Sequence, residues 1–249
     1  MRKGLLFFVL MFASVIIKAQ DSASTKFLLI PFNPDMYLSD IDQDIIQNTK
    51  MNPDEYRAFF RKALDLKLQG ELKSYRATVS LLSEQSQEDP KELKEFYAQA
   101  GYSYSEATGP GVGKVVDKKK SLFEKKSAEE KAPLYITTRG DQKFMNATVT
   151  DKEYFQTLLR NNGCNYAISI NQFEFVTNYS SCIDLSKQIY RRSLIIHYSI
   201  LNADAKLLAG NFLVVYFPST INKPQEIAEK TFKSIAEGLL KQAKETLGN

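Results

Sequence analysis

Two long apolar runs, "SLIIHYSIL" (residues 193–201) and "LLAGNFLVVYF" (207–217), are separated only by Asn202-Ala203-Asp204-Ala205-Lys206. Runs rich in β-branched and aromatic residues around a short polar turn read as an antiparallel hairpin. Just upstream, "YAISINQFEFV" (166–176) alternates in one phase at Tyr166, Ile168 and Ile170, then in the opposite phase at Phe173 and Phe175. A one-residue slip would turn half of the strand away from its core, so the pattern predicts a β-bulge near Asn171 and Gln172.

The stretch from Thr25 to Phe32 is almost continuously apolar and meets Pro31 and Pro34. It reads as a central strand covered on both faces. Ser39 with Asp42, Asn52 with Glu55, and Asn222 with Gln225 each place a capping side chain three residues before its partner, and Pro53 suits a first helical position. After Asn52, the residues Tyr56, Phe60, Leu64, Leu68 and Leu72 recur every fourth position. The terminal segment repeats the arrangement with Ala228, Phe232, Ile235, Leu239 and Ala243. Such stripes pack on a sheet. With "ATVSLLS" as a second strand and a short helix opened by Asp89-Pro90 and running to about Ala100, the expected class is α/β (α+β). It is a mixed sheet with a long antiparallel hairpin and helices packed on it.

Residues 101–131 break this rhythm with Gly109, Gly111 and Gly113 around Pro110 and with seven lysines from Lys114 to Lys131. They read as an exposed flexible insertion, with room for a short helix from Lys118 to Lys131. The expected organisation is therefore a leader at 1–19 followed by one domain at 20–249 that carries this insertion.

The leader is inferred from Arg2 and Lys3, the apolar stretch Gly4–Ile17 and the Ala19–Gln20 junction, the layout of a cleavable secretory signal. About 14 apolar residues fall short of the roughly 20 needed to span a bilayer. Ile17 stands where a small residue would precede the cut, so export is better defined than the bond cleaved. No Cys lies near the junction to carry a lipid. Removing the leader takes Arg2, Lys3 and Lys18 from 33 basic residues, leaving 30 against 29 acidic ones. A net charge near +1 gives no concentrated basic field for nucleic acid. Cys164 and Cys182 are the only cysteines. A straight strand from Tyr166 would carry the chain about 30 Å away, too far for the next six residues to return, which disfavours a bridge.

The motifs that could carry chemistry are incomplete. Asp40, Asp42 and Asp44 begin like a calcium loop, but Ile45 stands where the turn needs Gly and Met51 where the bidentate acid belongs. "GPGVGK" lacks the earlier Gly and the following Ser or Thr of a phosphate loop. His197 is the only histidine and lies mid-strand, as a structural residue would. No metal and no cofactor is expected, and no catalytic residue is assigned. The remaining candidates are binding residues: Asn33, Asp35, Tyr37 and Asp40 in the loop after the first strand, with Tyr37 the strongest contact, and the aromatics Phe175 and Tyr179. Exposed aromatics supply contact area at low ordering cost, although most of the aromatics here read as core.

Taken together, "KFLLIPF", "GELKSYRATVSLL", "NGCNYAISINQFEF" and "IHYSILNADAKLLAGNFLV" ahead of a terminal helix resemble periplasmic α/β domains. These are found in the curli secretion channel, in the N-terminal part of the Tol system's propeller protein and in outer-membrane activators of penicillin-binding proteins. The resemblance covers most of the mature chain as a pattern; the insertion at 101–131, the missing lipid-bearing Cys and the lack of an attached pore or propeller depart from it. It implies a periplasmic, non-enzymatic interaction module, an accessory or plug subunit bound to an outer-membrane or periplasmic protein complex without inserting into the membrane. The rival readings are a small-ligand or glycan-binding protein with a strand-end cleft, and a hydrolase using Asp35 and Asp40.

Overall fold

The computed structural model describes residues 25–82, 88–109, 134–135 and 143–248. The elements are β1 (Phe27–Ile30), β2 (Tyr37–Ser39), α1 (Asp42–Thr49), α2 (Pro53–Leu72), β3 (Thr78–Ser80), α3 (Lys91–Gln99), β4 (Ala100–Glu106), β5 (Leu134–Tyr135), β6 (Lys143–Val149), α4 (Lys152–Asn161), β7 (Tyr166–Asp184), β8 (Ile189–Asn202), β9 (Leu207–Pro218) and α5 (Pro224–Leu247). The fold is α/β. The main sheet runs β3-β1-β7-β8-β9-β5, with β2 also on β7, and β4 pairs with β6 in a second, two-stranded sheet.

All four residues of β1 are fully buried because the strand has parallel neighbours on both sides, β3 and β7, and packed layers on both faces. Phe27 and Leu29 face one core, with Phe60 and Leu64 of α2 and Phe232 and Leu239 of α5; Leu28 and Ile30 face another, with Phe96 of α3 and Phe155 of α4. The antiparallel hairpin β8–β9 forms as its turn chemistry requires, closed by the Asn202 side chain accepting from the backbone N–H groups of Asp204 and Lys206. The register of β7 against β8 shifts between Ile170 and Gln172. That bulge keeps Ile168, Ile170, Phe173 and Phe175 in a single core despite their opposite phases.

Capping follows the sequence at α2 alone among the three predicted boxes. Asn52 accepts from Glu55 N–H at 2.9 Å and Glu55 returns to Asn52 N–H at 3.0 Å. At α1 the flanking residue is Ile41, without a side-chain cap, because Asp42 turns its carboxylate to Tyr37 and Arg57. At α5 the flanking residue is Lys223, because Asn222 accepts from the buried Arg192 at 2.6 Å.

The expectation of a flexible connection beginning at 101 is corrected. Residues 100–106 form β4, paired in full with β6, since Phe144 of β6 gives this small sheet a buried anchor on β9. Phe144 lies directly over Gly210. The predicted leader with its Ala19–Gln20 junction and the predicted helix at Lys118–Lys131 lie outside the described residues. Cys164 and Cys182 are both unpaired, one before β7 and the other near its far end.

Candidate functional site

After β1 the chain leaves the sheet for six residues and rejoins it as β2: β1 pairs with Tyr166–Ser169 of β7, and β2 with Phe173–Phe175. The excursion is a short 3-10 turn, Pro34–Met36, capped by Asn33, whose side chain accepts from Asp35 N–H at 3.1 Å. Asn33 is thereby a turn-forming residue, and the Asp35 carboxylate is left exposed.

Tyr37 is not an exposed contact. It is 8 % exposed, with its ring stacked on Phe173 at 5.5 Å and its hydroxyl donating to Asp42 at 2.9 Å. Burial pushes this hydroxyl far above its ordinary range. Phe175 is likewise core, 2 % exposed, because the bulge in β7 turns it inward. Around Asp42 burial opposes ionisation, but Ser39, Arg57 and Tyr37 outweigh it and hold the carboxyl below its usual value. Asp40 accepts from the backbone N–H of Thr177 at 2.7 Å and from its hydroxyl at 3.1 Å. Asp44 pairs with Arg192. The three carboxylates that resembled the start of a calcium loop thus point to three separate protein partners. Among the described residues no group of three His, Cys, Asp or Glu side chains converges as a metal site.

The turn forms one wall of a cleft of about 510 Å³ at the carboxyl end of β1, opposite α2 and the residues before α3. Phe32 and Tyr37 form its apolar floor, and Asp35, Asp54, Arg57 and Lys94 stand among its lining. Arg61, only 11 % exposed, braces one side: its guanidinium donates to both oxygens of Asp89 at 2.6 and 3.0 Å, to Phe32 O at 2.9 Å and to the Tyr97 hydroxyl at 2.7 Å. Tyr97 in turn donates to Pro31 O at 2.8 Å, which ties α3 to the strand end. Sequence reasoning missed Arg57, Arg61, Asp89 and Tyr97. The only hint was that Arg57 and Arg61 sit one helical turn apart beside the apolar stripe.

His197 is buried in β8, where Nδ1 accepts from Met145 N–H at 2.8 Å and Nε2 faces Glu174 at 3.5 Å. The first contact makes Nδ1 the unprotonated nitrogen. The histidine fastens the small sheet to the large one, a structural role.

Tyr179 lies on a second surface, away from the cleft. The last strand neighbour of β7 on its outer edge is β2, ending opposite Phe175, while β8 still pairs with β7 as far as Asp184. The far part of this hairpin is therefore an arm whose outer edge meets no other strand among the described residues. Val176, Tyr179, Ile183 and Leu185, the last 84 % exposed, lie along it. Tyr179 is braced edge-on by Tyr190 at 5.3 Å. Asp40, through Thr177, fixes the base of the arm to the cleft wall.

The chain matches no model of a known protein family and no curated protein. Among the described residues no helix is long and apolar enough to cross a membrane.

Proposed function

We propose that this chain is an exported, non-enzymatic interaction module of the bacterial cell envelope, an accessory subunit of an outer-membrane or periplasmic protein complex that docks through its hairpin arm. The observation that carries the reading is the concentration of exposed Tyr179 and Ile183 on a strand whose outer edge is unpaired among the described residues, with exposed Leu185 in the turn that follows it. An open edge offers backbone N–H and C=O groups to an added strand, and side chains at alternate positions supply apolar contact. The occupant is an extended apolar segment of a partner protein. Apolar contacts at such an interface contribute most where an aromatic anchor is held rigid, as Tyr190 holds Tyr179.

The test is a tagged full-length copy with its native leader, crosslinked in intact cells and recovered. The wild type brings down one envelope protein, the Tyr179→Ser/Leu185→Ser variant loses it, and Leu66→Ser, an exposed change on α2, keeps it. Recovery of the protein alone, or recovery indifferent to the arm substitutions, overturns the proposal.

A further inference from the structure

We infer that the strand-end cleft is a second binding site, for a short peptide carrying both a free ammonium and a free carboxylate, the ammonium held by Asp35 and Asp54 and the carboxylate by Arg57. The cleft stands beyond the carboxyl end of β1, which has parallel partners on both sides, the position where open α/β sheets receive ligands. Its volume of about 510 Å³ falls within the range of small-ligand sites.

The charges decide the ligand class. Arg61 is spent on Asp89, Phe32 and Tyr97, and Lys94 is drawn to Glu88 at 3.7 Å. Asp35 and Asp54, both exposed on the cleft, carry no ion pair or side-chain hydrogen bond among the described residues. Arg57 donates from one nitrogen, Nη2, to Asp42 at 2.9 Å, and its side chain is 45 % exposed at the cleft. Its guanidinium lies 5.1 Å over the Tyr37 ring, which orients it without using its donors. Arg57 and Asp54 are three residues apart in the first turns of α2 and share a face. Two available carboxylates and one oriented guanidinium over an apolar floor match a zwitterion with a small apolar body. A polyanion would meet Asp35 and Asp54 as repulsion, and an uncharged sugar would leave both charges unanswered.

This inference is independent of arm docking. It is tested with the full-length mature chain by titrating three probes, the tripeptide Ala-Ala-Ala, its N-acetylated form and its C-terminal amide, followed by calorimetry or backbone amide shifts. The free tripeptide binds saturably, and blocking either end weakens binding about tenfold or more, the effect of losing one charge-assisted contact. In Asp35→Asn/Asp54→Asn the penalty for acetylation disappears while the penalty for amidation remains. Both carboxylates are exposed and unpartnered, so the variant folds; the three probes on the wild-type chain decide the matter without it. Equal binding of all three probes, or saturable binding of none, overturns the inference.

Discussion

Asp42 joins the start of β2 to α2, accepting from Tyr37 and Arg57 at 2.9 Å each. Asp42→Asn is expected to lower stability by about 1–3 kcal/mol at neutral pH. Because the folded carboxyl is held below its usual value, its contribution is present above the unfolded value of about 4 and is lost as pH falls through the folded one. Urea titrations should therefore show the wild type losing more stability than the variant between neutral pH and about pH 3. Tyr56, buried beside this group, has its hydroxyl pushed up to about 12 by burial and then by Asp42. At Gly210 a Cβ would stand 2.2 Å from the Phe144 ring. Gly210→Ala should cost about 1–3 kcal/mol through overpacking, and Phe144→Leu in the same chain should recover part of that loss in a double-mutant cycle. None of this was visible in the residues themselves: Tyr37 read as an exposed loop aromatic because nothing local announces that the chain rejoins the sheet at this residue.

At the scale of elements, legibility tracked how far a signal is carried by consecutive residues. The stripe of α2 at every fourth residue, the apolar run of β1 and the phase reversal in β7 each compel burial on a defined face, and the structure places them so. The small sheet was illegible because Tyr102 and Tyr104 of β4 alternate with Gly101, Ser103 and Ser105, and the strand that pairs with it, β6, comes almost 40 residues later. Two of three predicted caps failed for a related reason: Asp42 and Asn222 found better partners in Arg57 and Arg192, which are distant in sequence. The cap that did form supplies a prediction. Asn52→Ala should destabilise by about 1 kcal/mol, lowering the melting temperature by about 2–4 °C in a domain of this size. On the arm the reverse holds: Tyr179→Ser and Leu185→Ser should each change stability by less than about 0.5 kcal/mol, since both side chains are exposed.

Across the whole molecule, α2 and α5 close one face of the sheet, while α3, α4 and the small sheet cover parts of the other. The outer part of β7 extends past β2, its last outer strand neighbour among the described residues. The fold class was legible because each layer carries its own periodicity. The candidate surfaces were only half legible. Asp35 does face a cleft and Tyr179 is exposed, but Tyr37 and Phe175 belong to the core, and the ion pair of Arg61 with Asp89 spans 28 residues. The arm is the surface on which the proposed function stands. Its most direct test is a photo-activatable amino acid at position 185, with the same group at Lys230 on the exposed face of α5 as control, activated in intact cells. Position 185 should give a single adduct with one envelope protein, absent from 230 and abolished by Tyr179→Ser; adducts of equal yield from both positions, or none from 185, would contradict docking through the arm.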